Sequence, residues 1–367
     1  MTLSPLPVGF LPLVDAAPLI VAAEMGFDHA EGFALDLRRA TSWSGLRDMV
    51  SFGQVMAAQM LSPMPVAAAL GLGGVSVGLS AISVLSTNGE VIGVSSRIAD
   101  QLRAIPNALA FNDAAAAGAA LISIAGGPLR MGVPFPFSMH AELLYYWLSS
   151  LGLPAPSGLD IRTVPPPLMA AAMASGEIDA FCVGEPWGSI AVEQNAGELL
   201  LPGCAIWPGA PEKILGVRTD LVETIAEQLS ALVRAVWHAG QWLDDPRNHT
   251  VACEILSSRT YLDVPSEIID RSLTGHLLTS ARGGSHVVRD FVGFSQTMPE
   301  ERHAAWMAGR LAGRLGLDKT AAVPAGRVRF AAAFHRNAVQ AIPEHQPQSP
   351  RLDRFFDGRD LDIDLGD

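Results

Sequence analysis

With 367 residues, of which 49% are hydrophobic and 17% charged, the chain is long enough to bury a large core and to divide into two lobes. Its formal net charge of −12 argues against direct binding to nucleic acid or to an anionic membrane surface. No uninterrupted apolar run of about 18 residues marks a membrane span. The three cysteines, Cys182, Cys204 and Cys253, are odd in number and lack metal-ligand spacing. They read as small, reduced, buried side chains rather than a disulfide framework or a metal site.

Residues 6–14 read as a first strand, with Asp15 as the N-cap of a helix over 16–25 that stops at Gly26. Residues 34–38 alternate as a second strand. Ser42 then caps a helix running from Trp43 toward Phe52, with Gly53 just beyond. A third strand over 55–61 and a helix over 64–70, opened by Pro63, complete a strand–helix rhythm that predicts a parallel sheet with helices on both faces. A β-rich run over 75–85 leads out of this lobe. Asn88 and Gly89 form a turn signal, and a new strand over 91–94 places the first crossover between lobes here.

The second lobe is expected to hold a helix over 97–103, an Ala-rich helix within 114–125, a strand over 129–133, a helix over 140–151 and a short strand over 161–164. It then reaches a stretch over 164–188, VPPPLMAAAMASGEIDAFCVGEPWG. Prolines 165–167 brake the chain, an amphipathic helix over 168–174 closes at Gly176, and a buried strand over 178–183 opens through Gly184 into a new helix start at Glu185, Pro186 and Trp187. A strand that ends in a glycine turn and a helix N-terminus is where open α/β sheets place ligands. In GEPW, Glu185 reads as a carboxylate complementing a helix dipole and Trp187 as a packed aromatic.

Residues 199–206 lead back, and a strand over 214–217 rejoins the first lobe. Helices over 221–243, 250–256 and 266–273 carry apolar residues at three- and four-residue spacing and are expected to cover that lobe. Residues 279–285 read as a Gly- and Ser-containing loop, 299–315 and 327–341 as further helices, and the proline-rich link to the acidic tail 351–367 as weakly ordered. The resulting division is 1–87 with 205–350 for lobe I, 88–204 for lobe II, and 351–367 for the tail. No HExxH, CxxC, Walker loop or serine triad context appears, so the sequence assigns no catalytic residue, cofactor or metal.

Four ordered segments resemble one family: residues 10–27 (FLPLVDAAPLIVAAEMGF), 40–48 (ATSWSGLRD), 164–188 with its VPPP and DAFCVGEPW, and 211–218 (PEKILGVR). They are similar to the nitrate- and bicarbonate-binding receptors of the NrtA and CmpA type. That resemblance implies an α/β, two-lobed type II periplasmic-binding-protein-like fold with a ligand cleft between the lobes, and a protein that is not an enzyme. It also implies a ligand set of Trp43, His140, Pro166 and Lys213, with Glu90 where nitrate-binding members carry a glutamine. A planar oxyanion needs donors from several directions and at least one positive charge, which Trp43, His140 and Lys213 are suited to supply. Glu90 departs from the pattern, because a carboxylate repels nitrate unless it is protonated, turned away or paired.

The first 18 residues lack the basic n-region of a secretory signal. With the reduced cysteines, this sets the expectation of a cytoplasmic nitrate or nitrite sensor similar to NasS, releasing a NasT-like RNA-binding antiterminator when ligand binds. The alternative is the solute-binding component of an ABC importer for nitrate, nitrite, bicarbonate or a related solute. A third reading, an enzyme like the thiamine-pyrimidine biosynthesis proteins that share the fold, would need a clustered catalytic His and Cys, which the scattered cysteines do not support.

Overall fold

The computed structural model describes residues 3–74, 76–154, 156–345 and 353–361. Val75, at the head of the predicted β-rich run, lies outside the described residues. Two main sheets organise the chain. The first is built from β1 (Ser4–Phe10), β2 (Phe33–Arg39), β3 (Ala57–Leu61) and β4 (Leu79–Asn88). The second takes β5 (Glu90–Ser95), β6 (Leu129–Val133), β7 (Leu159–Thr163), β8 (Ala180–Gly184) and β9 (Gly197–Pro202). The chain then returns to the first sheet with β10 (Pro211–Arg218).

In the first sheet β1 pairs parallel with both β2 and β3, in the strand–helix rhythm that the sequence predicts. Parallel strands need a covered crossover, and the apolar helix Ala17–Glu24 supplies one between β1 and β2. β10 enters antiparallel between β3 and β4, giving the order β13-β4-β10-β3-β1-β2, where β13 is Val292–Gly293. The second sheet runs β7-β6-β8-β5-β9, with β6 parallel to its neighbours and β5 antiparallel to β8 and β9. This is a two-lobed α/β fold.

The two passages between the sheets lie side by side. Asn88 and Gly89 adopt φ of 52° and 92°, the left-handed region that asparagine and glycine reach at least cost. The turn signal at this position is thus a backbone requirement. Asn88 N donates to Ala210 O at 2.9 Å and Asn88 Oδ1 accepts from Ala210 N at 3.1 Å, tying the outward passage to the returning one. Buried Glu142 and Arg314 form an ion pair of 2.6 Å between the helices Met139–Ser150 and Glu301–Leu315.

Two elements differ from expectation. Residues 279–285 are part of a hairpin, β11 (His276–Ser280) with β12 (Gly284–Val287), rather than a plain loop; Gly283, at φ 98°, makes its turn. A helix over Lys319–Arg327 precedes the last helix, Ala332–Gln340, and contains Pro324, which local signals read as a break. The tail is packed where it is described. Phe355 is buried with its ring 4.2 Å from Tyr146 and 5.0 Å from Trp207, while Asp353 accepts from Trp207 Nε1 at 3.1 Å and lies 2.7 Å from Arg302. The buried aromatic ring and the arginine beside Asp353 hold this part of the acidic tail, while the link expected to be weakly ordered lies largely outside the described residues. The remaining tail residues lie outside the described set. No helix among the described residues is long and apolar enough to cross a membrane.

Candidate functional site

The elements that the sequence singles out meet where the two sheets face each other. Ser42 Oγ accepts from Gly45 N at 3.1 Å and starts the helix Trp43–Ser51, which fixes Trp43 as its first residue. Ser138 does the same for the helix Met139–Ser150, accepting from Ala141 N at 3.2 Å, so His140 sits in that helix's first turn. Glu90 opens β5 directly after the crossover, opposite Gly184 of β8. Lys213 lies in β10, between Leu61 of β3 and Ser86 of β4.

Lys213 is one of two lysines in the chain and is fully buried. Its Nζ lies 2.8 Å from Asp15 Oδ2, 2.9 Å from Glu212 Oε2, and 5.3 Å from the centroid of the Trp43 ring. Burial pushes an ammonium toward neutrality, but the two carboxylates overcome it and lift Lys213 to about 12. His140 Nδ1 lies 2.8 Å from Glu212 Oε1. The contact is close, buried and electrostatically favourable to the Glu212 carboxylate. Burial raises Glu212, yet His140 and Lys213 outweigh it and hold the carboxyl below its usual range.

Three side chains present unmet polar atoms to this cluster. Trp43 Nε1, His140 Nε2 and both carboxyl oxygens of Glu90 are buried without a hydrogen-bond partner. A Cβ placed on Gly184 would lie 3.2 Å from Asp15 Oδ2 and 3.8 Å from His140 Nε2, which puts the last residue of β8 against the cluster. A Cβ on Gly203 would lie 1.7 Å from Glu90 Oε1, so only glycine leaves room there for the Glu90 carboxyl. Buried polar groups in folded proteins are normally paired, and a group of them left open in one place suits a small ligand that both accepts and neutralises.

Trp43, Glu90, His140 and Lys213 are thereby brought into one buried cluster. Pro166 is buried at the head of the 3-10 turn Pro166–Leu168. Asp15 is not a helix cap. It faces Lys213, and Gln59 Nε2 donates to it while Gln59 Oε1 accepts from Leu11 N at 2.8 Å. Sequence reasoning missed Asp15, Gln59, Glu212 and Gly203 as parts of the site. The only available signal was the placement of Asp15 and Glu212 within the two family-like segments. Nor is Lys213 an unopposed positive charge, because two carboxylates already meet it.

Glu185 is separate from this cluster. Its Oε2 accepts from Ser189 N at 3.1 Å at the start of the helix Trp187–Glu193, as a helix-start carboxylate should, and Trp187 Nε1 donates to Pro12 O at 3.1 Å. The cysteines are free: Cys182 and Cys253 are buried and Cys204 half-buried. Among the described residues no group of His, Cys, Asp and Glu is arranged to hold a metal ion.

Two lobes with a polar, buried cluster at the joint define a binding protein of the type II periplasmic class. Residues 2–257 match the NMT1-like family, and the chain belongs to it. Over 271 residues it is 33% identical to the nitrate/nitrite binding protein NrtA of Nostoc sp. (strain PCC 7120), covering 72% of this chain and 60% of that protein. It is 31% identical over 315 residues to the nitrate import ATP-binding protein NrtC of Synechocystis sp. (strain PCC 6803), covering 84% of this chain and 45% of that one. The chain thus spans about half the length of the curated relatives it matches. The crystal structure of the periplasmic nitrate-binding protein NrtA from Synechocystis PCC 6803 superposes with a TM-score of 0.85 at 27% identity, covering 99% of this chain and 98% of that one. The relatives named for solute binding are not enzymes, and the ATP binding in the name of NrtC belongs to that protein: this chain has no GxxxxGK[ST] loop.

Proposed function

We propose that this protein is a solute receptor for a small planar oxyanion of the nitrate, nitrite or bicarbonate type, held in the cluster of Trp43, Glu90, His140 and Lys213. The observation that carries this reading is that the side chains gathered around the buried Lys213–Glu212 pair, Trp43 by its ring and His140 through Glu212, carry buried and unpartnered donors at Trp43 Nε1 and His140 Nε2. Nitrate and nitrite accept from donors arriving on several sides and offer none in return, and bicarbonate adds only its single O–H, which matches such a set. The relatives' names and the likeness to NrtA support the same class of ligand.

Within that class, the role of binding component in an ABC importer takes precedence over a NasS-like sensor holding a NasT-like antiterminator, because the relatives are named as parts of nitrate and bicarbonate import. The two roles place the protein on different sides of the cytoplasmic membrane, so cell fractionation separates them. Isothermal titration with nitrate, nitrite and bicarbonate at pH 7 tests the ligand. At least one is expected to bind with one-to-one stoichiometry, and loss of that binding in Lys213→Ala is expected from the geometry. Absence of heat with all three anions would overturn the reading.

A further inference from the structure

Three carboxyl groups surround a single ammonium in this site: Asp15, Glu212 and Glu90, all buried. Asp15 and Glu212 are the two that contact Lys213. Glu90 makes no ion pair among the described residues, and neither of its buried oxygens has a side-chain partner there; its own backbone N–H and the more distant Lys213 favour the carboxylate, but burial outweighs both. A buried carboxylate without a partner is costly, whereas a carboxylic acid in the same place has an O–H with nothing in the protein to receive it. An oxyanion arriving beside Lys213 would add another negative charge to a region whose ammonium is already matched. The remaining way to satisfy both the ligand and Glu90 is a proton between them.

We propose that Glu90 selects the ligand as a carboxylic acid, donating its O–H to an unprotonated oxyanion, and that as a carboxylate it rejects that same ligand. The inference rests on the oxyanion reading above and adds to it a chemical criterion: the preferred ligand is an acceptor on the side facing Glu90. A glutamine amide offers an N–H in the same direction, so Glu90→Gln retains the donor and removes the titration. The groups acting on Glu90 from neighbouring elements are Glu212 and Lys213 of β10 and Asp15 after β1. The thiols of Cys182 on β8 and Cys204 beyond β9 also lie within its influence, and both are pushed up by burial and then by Glu90, Cys204 to about 12. His140 reaches it through Glu212. Burial first, and Glu212 second, lift Glu90 to about 8, so the acid form prevails at neutral pH.

The proton balance is simple. Below about pH 8 nitrate binds to the acid form and no proton moves; above it, each nitrate bound by wild type takes one proton from the buffer onto the Glu90 carboxylate. The test is calorimetric titration of the full chain with nitrate from pH 6 to pH 9.5, each point in two buffers of different ionisation enthalpy, for wild type and Glu90→Gln. Wild-type affinity is expected to be level on the acid side and to fall toward roughly tenfold per pH unit above pH 8, with proton uptake approaching one. Glu90→Gln is expected to bind at neutral pH and to show neither the fall nor the uptake. Wild-type affinity that is level to pH 9.5, or a parallel fall in Glu90→Gln, would overturn the role of Glu90 while leaving the oxyanion site standing. If wild type binds no nitrate, nitrite or bicarbonate at any pH, the oxyanion reading itself fails. Should Glu90→Gln not fold, proton uptake by wild type alone decides the matter.

Discussion

Lys213 Nζ and Asp15 Oδ2 meet at 2.8 Å, both buried, joining β10 to the turn that follows β1. The contact makes the first strand and the returning strand β10 mutually dependent at the site. It also means that the ammonium is held in place before any ligand arrives, at the expense of being unopposed.

Removing Lys213 should therefore damage the fold as well as the site. Lys213→Met leaves Asp15 and Glu212 buried with their shared cation gone, an arrangement that costs about 3–5 kcal/mol in comparable buried pairs. Adding Asp15→Asn is expected to recover part of that loss without restoring anion binding. Urea unfolding midpoints and calorimetry on the single and double variants check both halves. Equal stability of wild type and Lys213→Met would show that the buried network contributes nothing.

Trp43 separates a packing role from a ligand role. Phenylalanine keeps an aromatic ring 5.3 Å from Lys213 Nζ but deletes the Nε1–H that has no acceptor in the protein. Trp43→Phe is expected to change stability by less than about 1.5 kcal/mol while weakening oxyanion binding about tenfold or more, the scale of a hydrogen bond to a charged group. Unchanged affinity by calorimetry would mean that the indole does not touch the ligand.

Gly203 tests the seat of Glu90 without altering Glu90. In Gly203→Ala the new methyl would collide with Oε1, so the carboxyl must swing away or the loop must shift. A stability loss of about 1–3 kcal/mol is expected, together with loss of binding. In the double variant Gly203→Ala, Glu90→Ala, the stability should return and the binding should not. Double-mutant analysis of denaturation curves reads this coupling directly.

Glu185 predicts a pH dependence that lies outside the ligand cluster. Burial lifts its carboxyl to about 7, against a smaller pull from Ser189, Ser272 and Arg271. The folded state therefore retains a proton that the unfolded chain has already lost, between about pH 4.5 and pH 7. The stability contributed by that proton is present in full below the unfolded value and disappears as pH rises through the folded one. Glu185→Gln is expected to gain on wild type across this window by up to about 1.4 kcal/mol per pH unit and then to hold its advantage at pH 8. A stability difference that is constant from pH 4 to pH 8 would show that Glu185 titrates normally.

Much of this was legible in the order of residues. The strand–helix rhythm of the first lobe, the Asn88–Gly89 passage, the Ser42 cap ahead of Trp43 and the end of the buried strand at Gly184 are local signals: a short polar cap, a left-handed φ, a period of apolar residues. Each acts within a few residues, so a linear reading finds it. The hairpin at 276–287 and the helix carrying Pro324 escaped because packing against distant elements overrides weak local preference there. Phe355 and Asp353 looked like part of an acidic tail until Trp207, Tyr146 and Arg302 stood beside them.

The sequence alone determined which polar side chains stand at the starts of the elements that form the joint between the sheets, because helix caps and strand ends are set by neighbouring residues. Only the tertiary structure decided what charge each of them carries. Whether Lys213 is matched and whether Glu90 keeps its proton depend on the carboxylates brought within a few ångströms and on the water excluded around them. The first arises when β10 folds back against the turn after β1 and the second when distant elements close around Glu90, and neither is a property of any one segment.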